Sequence, residues 1–159
     1  MSSGGPDASG EWYSSDSAAG LAHRRLSIID LNIDANQPMV CTGSGLTILF
    51  NGEIYNHLEL RQELTAAGLH FTTQSDTEVL LQAYADWGAD CLKHLRGMYA
   101  FAIWDDQEKC LFLARDPYGI KPLYYVCVRR SSAWYYLSVL QKRSSRLVTP
   151  ELGEHYCEL

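Results

Sequence analysis

The 159-residue sequence lacks the short motifs that mark most metal, redox and nucleotide sites. Its five cysteines include no C-x-x-C pair, and its five histidines show neither H-x-x-x-H nor H-E-x-x-H spacing. A zinc ribbon, a thioredoxin-like site and a zincin-type metal centre are therefore not expected. Neither G-x-G-x-x-G nor G-x-x-x-x-G-K-[ST] occurs, which argues against a Rossmann or P-loop nucleotide site.

Long apolar runs and an excess of basic residues are also missing. No run of about 18 apolar residues is present, and residues 1–10 show no secretory signal. Lys and Arg number 13 against 19 Asp and Glu, a net charge of -6, which disfavours nucleic acid and anionic membranes as partners. We therefore expect a cytoplasmic protein, and we interpret its odd, scattered cysteines as reduced structural thiols.

Turn residues and apolar periodicity predict an α+β protein. A hydrophobic fraction of 47% suits one globular domain, although Ser, Gly, Ala and Asp predict a loop or flexible terminus over residues 1–19. Helices are predicted at 56–68 and 75–87, with a short helical piece at 91–95. Strands are predicted at 20–30, 46–50, 98–104, 110–114, 122–128 and 133–137. Because helices follow helices and strands follow strands, layered α+β is favoured over alternating βαβ units.

Two polar groups adjoin predicted strands. Arg24 and Arg25 must point to opposite faces of their strand, and an inward arginine would suit a carboxylate; solvated arginines or a structural ion pair are the alternative. Asn51 and Gly52 directly follow a strand and could aim a side-chain amide and a backbone N–H at one oxyanion. The alternative is an ordinary Asn-Gly tight turn.

Two further groups involve acids. Asp76 begins a predicted helix and could hold a ligand ammonium, although acids also favour helix N-termini through the backbone dipole. Arg115 and Asp116 at a strand end are read as a structural salt bridge that fixes the turn. Together these groups would suit a free amino acid that has a carbonyl in its side chain. The arginine would bind its carboxylate, Asp76 its ammonium, and the Asn51 amide with the Gly52 N–H its side-chain carbonyl oxygen.

The same residues carry a family resemblance. The runs occur in one order: AHRRLSIID (22–30), QPM (37–39), FNGEIYN (50–56), SDTE (75–78), ARD (114–116) and GIKPLY (119–124). This pattern resembles the glutaminase domain of glutamine-hydrolysing asparagine synthetases, which are class II glutamine amidotransferases. The resemblance covers about residues 5–125.

The resemblance implies an N-terminal-nucleophile hydrolase fold, a four-layer αββα sandwich in which the first strand is missing here. It implies that Arg25 binds the glutamine α-carboxylate and that the backbone of Leu26, Ile28 and Ile29 lines the pocket. Asn51 and Gly52 would form the oxyanion hole. Glu53 and Asp76 would hold the glutamine α-ammonium, and Asn51 also counts among the glutamine-binding residues.

The sequence departs from the family pattern at both ends. The family uses an N-terminal cysteine as nucleophile, whereas the GPD segment is preceded here only by Met1 to Gly4. Ser2 would become N-terminal after Met removal, but it lies where the family has a loop. We expect a flexible segment at 1–19, the amidotransferase domain at 20–140 and a divergent tail at 141–159. The Ser-Gly-Gly-x-Asp-Ser loop of the synthetase domain is absent from the sequence.

These observations predict a glutaminase domain of an asparagine-synthetase-like enzyme that is inactive as this chain. Its partners would be glutamine and either a synthetase domain or a second copy. ATP and Mg²⁺ are expected only for the synthetase domain, so no cofactor and no metal are expected here. Two alternatives stay open: a non-catalytic module that binds glutamine or a partner, and a start codon placed downstream of the encoded nucleophile.

Overall fold

The computed structural model describes residues 8–16, 19–25, 37–41, 43–130 and 133–139. Within these ranges the chain forms antiparallel sheets and two α-helices, as the α+β prediction requires. The strands are β1 (Ala8–Tyr13), β2 (Gly20–Arg25), β3 (Met39–Cys41), β4 (Leu46–Ile54), β5 (Gly97–Asp105), β6 (Cys110–Arg115), β7 (Tyr124–Arg130) and β8 (Ala133–Val139). The helices are α1 (His57–Ala66), α2 (Asp76–Trp87) and a 3₁₀ helix (Gly88–Lys93).

The central sheet has four strands in the order β3-β4-β5-β6, and β1-β2 and β7-β8 each form a hairpin. The predicted hairpin of β5 and β6 is confirmed, with Ala100 opposite Arg115 and Asp105 opposite Cys110. The predicted pairing of β7 with β8 is confirmed as well. All these ladders are antiparallel. Short loops favour this for β1-β2, β3-β4, β5-β6 and β7-β8, whereas β4 and β5 are joined through the helices.

The central sheet buries both of its faces, because side chains alternate along each strand. On one face, Ile48, Phe50 and Ile54 of β4 pack in the main core. Both α-helices contribute to that core, with Leu64 of α1 and Leu80 of α2 fully buried. On the other face, a second cluster joins the β1-β2 hairpin to the sheet: Ala19, Leu21, Leu49, Ala102 and Trp104. The central sheet is therefore packed between the two α-helices on one face and the β1-β2 hairpin on the other.

The loop predicted over residues 1–19 is wrong in part, because Ala8–Tyr13 forms β1. β1 pairs with β2 in a regular register, with Trp12 opposite Leu21. Trp12 packs against the second cluster. Strand pairing and the burial of one aromatic ring override a local composition that favours turns.

The tight turn predicted as the alternative at Asn51 and Gly52 is also wrong, because β4 continues through both residues to Ile54. Gly52 lies opposite Tyr99 on β5. A Cβ built on Gly52 would collide with the carbonyl oxygen of Met98, and one on Gly97 would collide with that of Glu53. Glycine here permits close approach of two strands, and the chain reverses only at residues 55–56.

The helices begin and end close to the predicted residues, but the predicted capping hydrogen bonds do not all form. Asn56 precedes α1, but its side chain makes no capping bond to the helix. Its amide donates to the carbonyl of His94 at 2.9 Å and its oxygen accepts from the N–H of Arg96 at 2.9 Å. Asn56 therefore joins the start of α1 to the segment that enters β5.

The capping box predicted at the start of α2 forms only in its first half. The hydroxyl of Ser75 accepts from the N–H of Thr77 at 3.1 Å. Glu78 does not return to Ser75; its carboxylate accepts from the backbone N–H groups of Thr72 and Thr73, both at 2.7 Å, and from both hydroxyls. Burial by itself would raise the pKa of Glu78, but these donors outweigh it and hold the pKa below its usual range.

No helix in the described ranges is long and apolar enough to cross a bilayer.

Candidate functional site

The site is built along one edge of β4. β3 pairs only with Leu46 to Ile48, so the rest of β4 has no strand partner on that edge among the described residues. The opposite edge is fully paired with β5, and the N–H of Tyr55 continues that ladder by donating to the carbonyl of Arg96 at 2.7 Å. A sheet edge with unused N–H groups is a place where a ligand can bind.

Side chains occupy the edge on either side of Gly52. The N–H of Phe50 donates to Oε1 of Gln37 at 2.6 Å, and the N–H of Ile54 donates to Oδ2 of Asp76 at 3.1 Å. Successive N–H groups of an antiparallel strand point to alternate edges. The N–H of Gly52 therefore points to this same edge, between two N–H groups that already have acceptors.

Asn51 and Glu53 lie on one face of β4, the face that Leu49 shares with the β1-β2 hairpin. Both side chains are half-buried, as is Gly52 between them. The arrangement brings three of the predicted site residues together: a side-chain amide, a backbone N–H at the edge and a carboxylate.

Asp76 supplies a second carboxylate at the end of the same edge. It is the first residue of α2, whose N-terminal dipole favours negative charge. Burial raises the pKa of this carboxyl above its usual range, and the charge of Glu53 acts in the same direction. The N–H groups of Ile54 and Thr77 and the side chain of His57 offset part of that rise. Glu53 and Asp76 are therefore close enough to repel each other, which is a setting that a ligand cation would relieve.

Arg25 is the last residue of β2, and its strand belongs to the hairpin on the Asn51 face. The orientation of its side chain lies outside the described residues, as does that of Arg24. Leu26, Ile28 and Ile29 also fall outside the described residues. The predicted carboxylate-binding half of the site stays a prediction.

Arg115 and Asp116 do not form the predicted salt bridge. Asp116 is buried and accepts from four backbone N–H groups: those of Tyr99 at 3.3 Å, Tyr118 at 3.1 Å, Ile120 at 3.0 Å and Lys121 at 3.0 Å. The guanidinium of Arg115 instead lies against Gly119, which has a φ of 63°. Burial alone would raise the pKa of Asp116, but the four donors hold it below its usual range. The aspartate does fix the turn, by backbone bonds rather than by an ion pair.

The described cysteines offer no activated thiol. Cys91 and Cys110 are buried and Cys41 is half-buried. Burial raises the pKa of the Cys91 thiol to about 12, so it stays protonated at neutral pH and is a poor nucleophile. Among the described residues no cluster of three or more His, Cys, Asp and Glu is arranged to hold a metal.

Sequence comparison defines the class of this domain. The glutamine amidotransferase domain family matches residues 1–143. The chain therefore belongs to the glutamine amidotransferase domain family. Its fold is similar to that of the glutamine phosphoribosylpyrophosphate amidotransferase from B. subtilis complexed with ADP and GMP, with a TM-score of 0.59 and 28% identity over 75% of this chain and 27% of that chain.

The particular branch follows from its curated relatives. Asparagine synthetase [glutamine-hydrolyzing] 3 of Bacillus subtilis is 46% identical over 127 residues, which cover 79% of this chain and 20% of the relative. Asparagine synthetase [glutamine-hydrolyzing] 1 of the same organism is 49% identical over 124 residues, 78% of this chain and 19% of the relative. The chain is an amidotransferase domain similar to those of asparagine synthetases, and it spans about a fifth of the length of these relatives.

Proposed function

We propose that this domain binds L-glutamine along the open edge of β4. The side chain of Asn51 and the N–H of Gly52 hold the side-chain carbonyl oxygen, and the carboxylates of Glu53 and Asp76 hold the α-ammonium. Arg25 pairs with the α-carboxylate, with the backbone of Leu26, Ile28 and Ile29 beside it. The observation that carries the proposal is the N–H of Gly52, which points to an edge of β4 that has no strand partner there among the described residues, beside the Asp76 carboxylate that binds the N–H of Ile54.

The same geometry suits amide hydrolysis. Attack of a thiolate on the glutamine amide produces a tetrahedral oxyanion, and ammonia leaves as a thioester forms that water then cleaves. Donors aimed at that oxyanion lower the barrier, and loss of one such donor costs about 10²–10³ in kcat. We infer that the 159-residue polypeptide binds glutamine without turning it over, because the family resemblance implies an N-terminal cysteine as nucleophile, the printed sequence begins Met-Ser-Ser-Gly, and burial raises the pKa of Cys91.

We further propose the finer architecture of the family, the αββα sandwich. The helices on one face of the central sheet and the β1-β2 hairpin on the other support three of its layers. The domain limits at residues 20 and 140 are part of this proposal.

The relatives suggest what the released ammonia would serve. In an asparagine-synthetase-like protein, a synthetase domain that uses ATP and Mg²⁺ would pass ammonia to an aspartyl-adenylate. We propose that such a protein serves amide synthesis in the cytoplasm, with a synthetase domain or a second copy of the chain as the partner of this domain. No cofactor is proposed for the residues of this domain.

Calorimetric titration of the 159-residue chain with L-glutamine tests the binding proposal. Saturable binding is expected, weakened at least about tenfold in Asp76→Asn and in Arg25→Ala because each loses one charged contact with the ligand. Glutaramate, which lacks the α-amino group, should bind equally to the wild type and to Asp76→Asn. Asp86→Asn, at an exposed position near the other end of α2, is the matched control and should bind as the wild type does.

Absence of binding by the wild type, or equal affinity in Asp76→Asn, would overturn the assignment. Ammonia release is measured in the same samples and is expected to stay at background. Release that disappears in Ser2→Ala would show that Ser2 is the nucleophile and that the inactivity proposal is wrong.

A further inference from the structure

Gln37 binds β4 two residues before Gly52 and has no role in the proposed oxyanion hole. Its side chain is buried, and its carboxamide connects two elements. Oε1 accepts from the N–H of Phe50 on β4 at 2.6 Å, and Nε2 donates to Oγ1 of Thr77 on α2 at 3.5 Å. Gln37 therefore ties the strand that carries Asn51 and Gly52 to the helix turn that carries Asp76.

We propose that Gln37 is a positioning residue that keeps the N–H of Gly52 available to the ligand; this rests on the proposed function. The edge of β4 offers three consecutive outward N–H groups, at Phe50, Gly52 and Ile54. Gln37 takes the first and Asp76 takes the third. No described residue accepts from the middle N–H, that of Gly52, so this donor is available to a ligand oxygen at a defined position and direction.

The backbone of Gln37 packs closely against the β1-β2 hairpin. A Cβ on Gly10 of β1 would collide with the carbonyl oxygen of Gln37, so the hairpin strand lies directly against it. The backbone of Gln37 thus lies against β1, while its carboxamide bonds to β4 and α2. A side chain of equal length without polar atoms would leave the buried N–H of Phe50 unsatisfied, and β4 would shift or admit water to satisfy it.

Nuclear magnetic resonance of the amide of Gly52 separates this role from general stabilisation. In the free wild type, the amide of Phe50 should exchange with solvent at least about 100-fold more slowly than that of Gly52, because only Phe50 has an acceptor. Saturation with L-glutamine should then slow the exchange of Gly52. Protection of Gly52 in the free protein equal to that of Phe50 would overturn the proposal without any variant.

Gln37→Met tests the positioning itself, since it keeps the length of the side chain and removes both hydrogen bonds. L-glutamine should bind at least tenfold more weakly, whereas L-norvaline, which lacks the side-chain carbonyl, should lose less than twofold. An equal loss for both ligands, or no loss for either, contradicts a role at the carbonyl. Gln62→Met, the same change at an exposed position of α1, is the matched control and should leave both affinities unchanged.

If Gln37→Met does not fold, Thr77→Val carries the test. It removes one end of the connection, keeps Gln37, and should weaken glutamine binding several-fold with little effect on norvaline. Unchanged glutamine affinity in Thr77→Val would then overturn the proposal. Failure of the wild type to bind glutamine is a different result, because it overturns the proposed function while the exchange rates of Phe50 and Gly52 still report on Gln37.

Discussion

At the scale of single residues, the negative charge of Asp76 in the candidate site destabilises the fold. Asp76 is partly buried close to Glu53, and burial raises its pKa above the usual range. An acid with a raised folded pKa binds protons more readily in the native state than in the unfolded state. Its contribution to stability is therefore favourable at low pH and is lost as the pH rises through the raised pKa.

Asp76→Asn should therefore raise the melting temperature at pH 7, while it weakens glutamine binding. The asparagine can still accept from the N–H of Ile54 without carrying charge. The gain should shrink as the pH is lowered through the raised pKa, because the wild-type carboxyl then takes up its proton. Thermal unfolding of both proteins from pH 4 to pH 7 checks this. Asp86→Asn, where the carboxylate is exposed, should show no such trend, and a lower melting temperature of Asp76→Asn at pH 7 would contradict the argument.

At the scale of elements, the segment that follows β6 is bonded to β5, the strand that pairs with the proposed oxyanion hole on β4. Asp116 gathers the N–H groups of the 118–121 segment and one N–H of β5, and its own N–H donates to the carbonyl of Tyr99 at 2.8 Å. Tyr99 lies opposite Gly52 in the ladder. The buried carboxylate of Asp116 thus connects the end of β6, the following turn and β5, which pairs with the strand of the proposed oxyanion hole.

Asp116→Ala should destabilise the domain by about 3 kcal/mol, because several buried N–H groups lose their acceptor at once. The pKa of Asp116 is held below its usual range, so its contribution is present above the unfolded pKa and is lost as the pH falls through the lower, folded pKa. Denaturant unfolding at pH 7 measures the loss. Asp90→Ala, at an exposed acid, should cost far less, and equal costs for the two variants would refute the role of the buried acceptor.

The sequence predicted these elements better than it predicted their internal bonds. Periodicity located α1, α2 and the β5-β6 hairpin, because apolar spacing is a direct record of which face is buried. It failed at Asn51-Gly52, where glycine serves strand approach and not a turn, and at residues 8–13, where a polar strand forms only by pairing with β2. Such cases depend on contacts distant in the chain.

Candidate site residues were predictable from the sequence where the residue type or its place beside an apolar run suggests the chemistry. Asp76 and Asn51 stand out as polar groups beside apolar runs. Gln37 does not stand out, because its proposed positioning role depends on hydrogen bonds to Phe50 and Thr77, which lie 13 and 40 residues away along the chain. Arg25 stands out in the same way as a candidate carboxylate binder, whereas the role of Glu53 comes from the family resemblance.

At the scale of the whole molecule, two unequal cores meet at one sheet. The helical face buries the larger cluster, whereas the β1-β2 hairpin is held by a smaller one that includes Leu21 and Trp104. An ion pair of 2.7 Å between Lys109 and Asp16 adds a connection between the hairpin and the turn after β5, but both side chains are partly exposed. Surface pairs of this kind add little, so the hairpin should open more readily than β4 and β5.

Glutamine should therefore stabilise the hairpin more than the rest of the fold. Arg25 ends β2, and in the proposed complex it is the contact through which the hairpin reaches the ligand, so binding adds free energy to the less stable element. Hydrogen exchange of the free chain should show faster exchange in β1-β2 than in β4-β5, and saturating L-glutamine should slow the hairpin amides most. In Arg25→Ala that selective slowing should disappear at ligand concentrations that still saturate the variant, whereas uniform protection of all strands by glutamine would show that the hairpin takes no part in binding.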